Sequence, residues 1–271
     1  EEIYFDGTRF MPQIKKATYE KISSLNLGVK RGSKDLEDLD LNFFPFPKSN
    51  DLIQNLIKYF RFDEKDIVLD FFSGSATTAH AVMQLNAQDG GNRKFIMVQI
   101  PENTNNKDFP TICEIGKERI RRAGAKILED NKDKDLSSLD IGFRVLKVDS
   151  SNMKDVYYHP NQLGQGDLLN FETNIKEDRS DLDLLFSIML DLGICLDLKI
   201  TTKIIDDKKL YFIENSELIV CFEENITLKI IEIIKEEKPY KVVLKDGCFA
   251  NDTQKINAIL ELSLISQISV I

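Results

Sequence analysis

The spacing of apolar residues in residues 43–150 changes repeatedly between a strand-like and a helix-like pattern. Short apolar runs rich in β-branched and aromatic residues predict strands at 67–71, 95–100 and 143–148. Apolar residues spaced three or four positions apart predict helices at 50–59, 76–86 and 111–127. Strands that alternate with helices favour a parallel sheet, so we expect an α/β fold here.

A polar segment at 152–166 predicts a linker, and we place a domain boundary after residue 150. Beyond it, the pattern predicts helices at 182–192, 227–235 and 253–262. It predicts strands at 210–214, 218–222, 240–244 and 268–271, with the first two forming a hairpin across Asn215 and Ser216. We therefore expect a smaller α/β domain at 151–271, whose role we interpret as assembly.

The junction between the strand at 67–71 and the following helix carries candidate chemistry. Asp70 lies at the carboxyl end of the strand, and Ser73, Gly74 and Ser75 follow with little side-chain bulk. Open α/β sheets bind ligands at this end of their strands, and a small-residue turn lets a ligand approach backbone amides. The segment predicts a nucleotide-type cofactor site. An ordinary strand-turn-helix, in which Gly74 serves only the geometry, is the alternative.

Residue types in the turn separate three classes of cofactor. A nucleoside triphosphate loop needs Gly-Lys-Ser/Thr, whereas this chain has Ala76, Thr77 and Thr78 with no lysine. A dinucleotide turn needs three glycines, and only Gly74 is present. One glycine beside Phe72 and several hydroxyl groups suits a ligand without a pyrophosphate, such as S-adenosylmethionine. A dinucleotide-dependent oxidoreductase with a degenerate motif stays open as an alternative.

The order Asp-Phe-Phe-Ser-Gly-Ser-Ala-Thr-Thr-Ala-His-Ala-Val at 70–82 resembles the cofactor motif of amino-DNA methyltransferases. The resemblance is strongest to the modification (Mod) subunits of Type III restriction-modification systems, which are β-class adenine-N6 methyltransferases. It extends from about Phe43 onward, because further segments recur in the family's order. These segments are 44–53, 95–102, 112–120, 142–152 and 255–257.

The resemblance implies part of a Rossmann-like, S-adenosylmethionine-dependent methyltransferase sheet at 43–150, preceded at 1–42 by the tail of a target-recognition region. It implies methyl transfer from S-adenosylmethionine to adenine N6 of a flipped base in DNA. The residues that would contact the cofactor are Lys48, Asn50, Asp70, Phe71, Phe72, Ser73, Gly74, Ser75, Thr77, Thr78, Gln99 and Glu102. Among them, Lys48 and Asn50 would lie near its amino-acid end, and Gln99 or Glu102 near its ribose.

Three departures from the family pattern limit what this chain can do. Ala76 stands where a second glycine is common, and Gln99 stands where many members have an acid. The family's catalytic element contains two adjacent prolines that hold the target base, and none of the seven prolines here is adjacent to another. We therefore expect a C-terminal fragment that holds the cofactor half, contains no catalytic residue and is inactive by itself. A non-catalytic assembly module with a vestigial cofactor pocket is the alternative.

Charge is unevenly distributed between the two parts of the chain. Residues 1–150 carry 23 Lys and Arg against 24 Asp and Glu, whereas residues 151–271 carry 13 against 21. An acidic surface repels a phosphate backbone, so DNA contact is expected from the first part. The residues available for it are Lys15, Lys16, Lys30, Arg31 and Lys34, although a solvated face is the simpler interpretation.

Composition adds expectations about compartment and partners. The chain has no apolar run of membrane-spanning length and no secretory signal pattern, so we expect a cytoplasmic protein. Its four cysteines are widely spaced and accompany only two histidines, which argues against a metal site or a disulfide framework and predicts four buried thiols. The partners implied by the resemblance are DNA, a restriction subunit and a second copy of the chain. We interpret the charged positions Lys117, Arg119, Arg121 and Arg122 as a solvated helix face.

Overall fold

The structure is a computed structural model that describes residues 3–5, 12–14, 29–60, 63–154 and 175–271. It divides into unit 1, Glu1–Phe143, and unit 2, Arg144–Ile271. The predicted linker lies largely outside the described residues, as do Lys15, Lys16 and His159.

In the described part of unit 1, helices combine with two separate two-stranded sheets. Strands β1 and β2 pair antiparallel, whereas β3 and β4 pair parallel, with Ile67 opposite Lys94 and Asp70 opposite Met97. The helix α3 connects the parallel pair, because parallel strands need a crossover connection. The elements are β1 (Ile3–Phe5), β2 (Pro12–Ile14), α1 (Gly32–Glu37), α2 (Asn50–Tyr59), β3 (Ile67–Asp70), α3 (Thr77–Asp89), β4 (Lys94–Met97) and α4 (Ile112–Asp130).

The helix α3 occupies the middle of unit 1, and ten of its residues are buried. One side packs with α1 and α4, through residues such as Met83 and Ile127. Another side packs with α2 and β3, through residues such as Val82, Ile57 and Val68. A helix that is buried on nearly all sides holds its first turn in a fixed place.

The three predicted helices and two of the three predicted strands of this unit are confirmed, with shifts at their ends. The predicted strand at 143–148 is wrong, because the segment forms no ladder. Val145 and Leu146 are half exposed and Val148 is fully exposed. An apolar alternation becomes a strand only where a neighbouring strand pairs with it, and within the described residues no strand pairs with this segment.

Unit 2 is a five-stranded mixed sheet with helices on both faces. Its strand order follows the chain, with an antiparallel hairpin leading into three parallel strands. One face carries a core that includes Ile230 and Leu262, and the other carries a core that includes Leu185 and Met189. The elements are α5 (Asp181–Asp191), β5 (Ile200–Ile205), β6 (Lys208–Ile213), β7 (Leu218–Cys221), α6 (Leu228–Glu237), β8 (Lys241–Leu244), α7 (Asp252–Ser263) and β9 (Gln267–Val270).

The predicted elements of unit 2 are confirmed, and one strand was missed. Strand β5 forms a hairpin with β6 across Asp206 and Asp207, whose φ values are +49° and +60°. Two aspartates can adopt this left-handed pair of conformations, which a two-residue hairpin turn requires. The expectation of four buried thiols is wrong, because Cys195 is exposed and Cys113 only half-buried, while Cys221 and Cys248 are buried. None of the helices in the described ranges has the length and apolarity needed to cross a membrane.

Candidate cofactor site

The turn that follows β3 contains two residues with left-handed backbone conformations. Gly74 has φ +53° and Ala76 has φ +59°. A Cβ added to Gly74 would meet only a ring carbon of Phe44, at 3.9 Å, so this side of the backbone is open. For an L-residue such as Ala76 the left-handed conformation costs about 1–2 kcal/mol. The strain is therefore located immediately before the first residue of α3.

Asp70 ties the turn to the first turn of α3. One carboxylate oxygen, Oδ1, accepts a hydrogen bond from the backbone N–H of Phe72 at 3.2 Å. The other, Oδ2, accepts one from the Thr78 hydroxyl at 2.6 Å. The backbone of β3, the turn and α3 are thus joined through a single side chain.

Gln99, just beyond the end of the adjacent strand β4, holds the turn. Its Oε1 accepts a hydrogen bond from the backbone N–H of Gly74 at 2.7 Å, and its Nε2 donates to the carbonyl of Ile100 at 3.1 Å. The carbonyl of Gln99 also accepts from the Cys113 thiol, at 3.4 Å. The side chain of Gln99 is therefore engaged in fixing Gly74. Burial raises the pKa of the Cys113 thiol, which keeps it protonated at neutral pH.

A buried arginine lies under the same turn. Arg119 of α4 has no exposed surface, and its Nη1 donates to the hydroxyls of Ser75 at 3.0 Å and Thr77 at 2.7 Å. The interpretation of Arg119 as part of a solvated helix face is wrong. Its position shares one side of α4 with the buried Ile115 and Ala123, four residues away on either side. This spacing was a signal for burial that residue type concealed.

His80 is a second buried polar residue, and the sequence pattern did not indicate that it belongs to the site. It lies on α3 and is 8% exposed, and its Nδ1 has no hydrogen-bond partner. Burial, together with the positive charge of Arg119, lowers the pKa of His80 to about 3. The imidazole is therefore neutral at physiological pH, and its role is in packing.

Exposed aromatic rings lie in the turn itself and in the segment before α2. Phe71 and Phe72 are 62% and 80% exposed, and their ring centroids lie 5.1 Å apart. Phe46, in the segment before α2, is 95% exposed. Exposed aromatic rings next to free backbone are suited to an adenine ring or the apolar part of a ligand.

The structure brings most of the predicted cofactor residues together around this turn. Hydrogen bonds join Asp70, Gly74, Thr78 and Gln99 as described, and the Thr77 hydroxyl donates to the carbonyl of Lys48 at 3.4 Å. Ser73, Ser75, Thr77 and Thr78 are buried.

Lys48, Asn50 and Glu102 relate to the turn differently. The side chains of Lys48 and Glu102 are exposed. Asn50 is buried, its backbone N–H donates to Asp35 at 2.7 Å, and its Oδ1 has no partner. In the described part of the chain no hydrogen bond joins the Glu102 side chain to the turn, although its carbonyl accepts from the N–H of Ile112, at the start of α4.

The residues around the turn fit the chemical groups of S-adenosylmethionine. The first turn of α3 has no side-chain cap, so its backbone N–H groups carry a partial positive charge that favours an anionic or polar ligand group. Exposed rings are available to the adenine, the exposed carboxylate of Glu102 can accept from ribose hydroxyls, and the Lys48 ammonium can pair with a carboxylate. We infer a site that is preformed around Gly74.

Comparison with known proteins matches residues 11–123 to the DNA methylase family. The chain is 43% identical over 122 residues to the Type III restriction-modification enzyme StyLTI Mod subunit of Salmonella typhimurium. It is 39% identical over 117 residues to the EcoPI Mod subunit of Escherichia phage P1. It is also 43% identical over 56 residues to the Type II methyltransferase M.KpnI of Klebsiella pneumoniae.

These similarities confirm the resemblance to Type III modification subunits for the N-terminal part of the chain. They cover 42% of this chain for StyLTI and 40% for EcoPI. The chain spans only 18% and 17% of the lengths of those two relatives. For M.KpnI the shares are 21% of this chain and 13% of the relative.

Proposed function

We propose that unit 1 carries the S-adenosylmethionine site of a Type III modification subunit, an enzyme that methylates adenine at N6 in DNA. The observation that carries the proposal is the turn at 70–78, which is fixed at the carboxyl end of a parallel strand and open at Gly74. The match of residues 11–123 to the DNA methylase family supports the same assignment. When bound, S-adenosylmethionine supplies an activated methyl group.

The residues of this chain would bind and orient the cofactor. Gly74 allows the ligand to approach the backbone, and Phe71 and Phe72 shield its apolar parts from water. Because Gln99 already holds Gly74, we assign ribose recognition to Glu102 and a structural contribution to Gln99. Lys48 and the start of α2 would meet the amino-acid end, as the family resemblance implies. Positioning and desolvation would be the contributions of this half to catalysis.

We also propose that β3 and β4 belong to a larger Rossmann-like sheet. One face of this pair is apolar and uncovered, whereas parallel sheets are normally covered on both faces. The side chains of this face, including the residues just after β4, that are about half exposed or more are Ile67, Leu69, Ile96, Val98 and Ile100. Other parts of a modification subunit would cover the face and supply the element that holds the target base.

We propose a different role for each of three parts of the chain. Residues 1–42 would belong to the end of a target-recognition region, 43–150 to the cofactor half and 151–271 to an assembly domain. DNA contact would come from the first part, because the second carries most of the excess negative charge. The whole enzyme would act in the cytoplasm as a homodimer together with a restriction subunit.

Calorimetric titration of the chain with S-adenosylhomocysteine tests the cofactor site. We expect micromolar binding, since the turn and the helix start are already in place. A thermal-shift comparison with NAD separates the methyltransferase from an oxidoreductase. Stabilisation by NAD alone would overturn the proposal. No binding of either ligand by a folded chain would favour a non-catalytic assembly module with a vestigial pocket.

A further inference from the structure

Arg119 is a charged side chain in the interior of unit 1, and its burial needs a physical explanation. It lies in the middle of α4 and has no exposed surface, whereas the neighbouring Arg121 side chain is 57% exposed. Burying a guanidinium removes its hydration, which is costly unless its donors find partners. Two of its nitrogens, Nε and Nη2, are buried and have no hydrogen-bond partner. The side chain therefore does not recover its full desolvation cost.

The partners that Arg119 does have bracket the strained residue of the turn. Its Nη1 donates to Ser75 on one side of Ala76 and to Thr77 on the other. Hydrogen bonds from a charged donor are stronger than those between neutral groups. The guanidinium can thus hold Ala76 in its left-handed conformation, which immediately precedes α3.

The same cation is coupled to the segment before α2. Thr77, which accepts from Arg119, donates its own proton to the carbonyl of Lys48. Asp35 of α1 accepts from the backbone N–H of Asn50, and its negative charge attracts Arg119. Burial raises the pKa of Asp35, and the positive charge of Arg119 opposes that shift. The structure therefore places α1, residues 48–50, the turn and α4 around one buried positive charge.

We propose that Arg119 is a positioning residue of the cofactor site. Its guanidinium fixes the segment 75–77 and couples it to residues 48–50, so that the two sides of the site keep a constant spacing. The expected effect of Arg119 on cofactor binding rests on the proposed function. The expected effect of Arg119 on the turn itself does not depend on which ligand binds there.

Substitutions in the full 271-residue chain separate positioning from a general contribution to stability. Arg119→Met removes the charge and keeps an unbranched, apolar side chain that is shorter than arginine, and Arg119→Lys restores a cation. The matched control is Ile127→Ala, because Ile127 is buried two turns further along the same helix, beyond the turn contacts. The measurements are unfolding midpoint, S-adenosylhomocysteine affinity and amide hydrogen exchange of residues 74–78.

We expect Arg119→Met to weaken S-adenosylhomocysteine binding by at least about tenfold and to accelerate exchange at 74–78. Ile127→Ala should lower the unfolding midpoint and change the affinity by less than about twofold. Arg119→Lys should recover most of the affinity. Equal affinity or equal exchange in Arg119→Met and the wild type would overturn the inference, as would an equal loss of affinity in Ile127→Ala.

Thr77→Val provides a second route if Arg119→Met does not fold. It removes one acceptor of the guanidinium at nearly constant volume and should also accelerate exchange at 74–78, whereas unchanged exchange would contradict the inference. If the wild-type chain binds no S-adenosylhomocysteine, the proposed function fails, and the exchange data alone decide the role of Arg119. If the wild type binds and Arg119→Met binds equally well, the proposed function stands and the positioning role fails.

Discussion

At the scale of single residues, Gly74 and Gly90 share a left-handed backbone but differ in their distance from the candidate site. Gly74 has φ +53° in the turn, and Gly90 has φ +74° at the C-cap of α3. A Cβ would meet nothing within 4 Å at Gly90 and only one ring carbon, at 3.9 Å, at Gly74. Alanine at either position therefore tests backbone conformation with little steric conflict.

We predict that Gly74→Ala and Gly90→Ala each lower the free energy of unfolding by about 1–2 kcal/mol, because an L-residue is strained in this conformation. Only Gly74→Ala should weaken the binding of S-adenosylhomocysteine, since its Cβ and the altered turn lie where the ligand approaches. Denaturant titration and calorimetry provide the two measurements. Equal affinities of the two variants would contradict a site at Gly74.

His80 gives a prediction about pH at the same scale. Its pKa is about 3 in the folded chain, against an ordinary value of 6.5, because burial disfavours the charged form. Below the ordinary pKa the unfolded chain binds a proton that the folded chain does not, so stability decreases as the pH falls. From pH 7.5 to 5.5 this contribution amounts to about 1 kcal/mol.

We expect His80→Asn to lose this part of the pH dependence. The measurement is the difference in the free energy of unfolding between pH 7.5 and 5.5, compared for the wild type and the variant. Identical pH dependence in both proteins would show that His80 is solvated. Titration of its imidazole between pH 6 and 7, followed by NMR and assigned through the variant, would show the same.

At the scale of elements, the sequence predicted helices and strands well where their patterns were local. The hairpin of β6 and β7 and the helices α2 to α7 follow from periodicity and turn residues. The segment 143–148 has an apolar pattern of the same quality, yet it forms no strand because strand formation depends on a pairing partner. The strand β5 was missed although its Asp-Asp turn was a usable signal.

In the candidate site, too, the sequence predicted local features but not the contacts between distant residues. Family resemblance predicted the turn, Lys48 and Gln99, but it did not predict which groups bond to each other. Arg119 is buried because it lies on the inner side of α4. The charged residues next to it in the sequence favoured the wrong prediction of an exposed helix face. The bond from Gly74 to Gln99 depends on how the ends of β3 and β4 meet, and a linear sequence contains that information only through the pairing register.

Gln99, which follows the end of β4, supports a prediction at this scale. Gln99→Leu removes the acceptor of the Gly74 N–H, and a lost hydrogen bond of this kind should weaken ligand binding by about tenfold. Gln99→Glu keeps an acceptor and adds a negative charge near the start of α3, which favours the same bond. We expect its affinity for S-adenosylhomocysteine to stay within about threefold of the wild type.

Calorimetry on both variants distinguishes the acceptor from the rest of the side chain. Equal losses in Gln99→Leu and Gln99→Glu would indicate that the donor Nε2, rather than Oε1, holds the turn. Unchanged affinity in Gln99→Leu would remove Gln99 from the site.

At the scale of the whole molecule, we expect the uncovered apolar face of β3 and β4 to limit the proposed activity of the chain. Leu69 is 57% exposed and Val98 is 49% exposed, on a pair of strands that would be interior in a complete methyltransferase sheet. The proposed function requires polypeptide that covers this face and carries the base-holding element. The chain alone should therefore bind S-adenosylhomocysteine and transfer no methyl group to DNA, and measurable turnover by the chain alone would contradict the proposal.

We expect methyl transfer to appear when the chain is mixed with the preceding polypeptide of a modification subunit, expressed separately. Leu69→Lys should abolish this complementation, because a charge on the face cannot be buried without a partner. It should leave folding and S-adenosylhomocysteine binding nearly unchanged, since the face is exposed in the chain alone. The matched control is Ile204→Lys, on β5 of unit 2, where the side chain is 74% exposed. Loss of activity in both variants, or in neither, would show that the face of β3 and β4 is not where the two polypeptides meet.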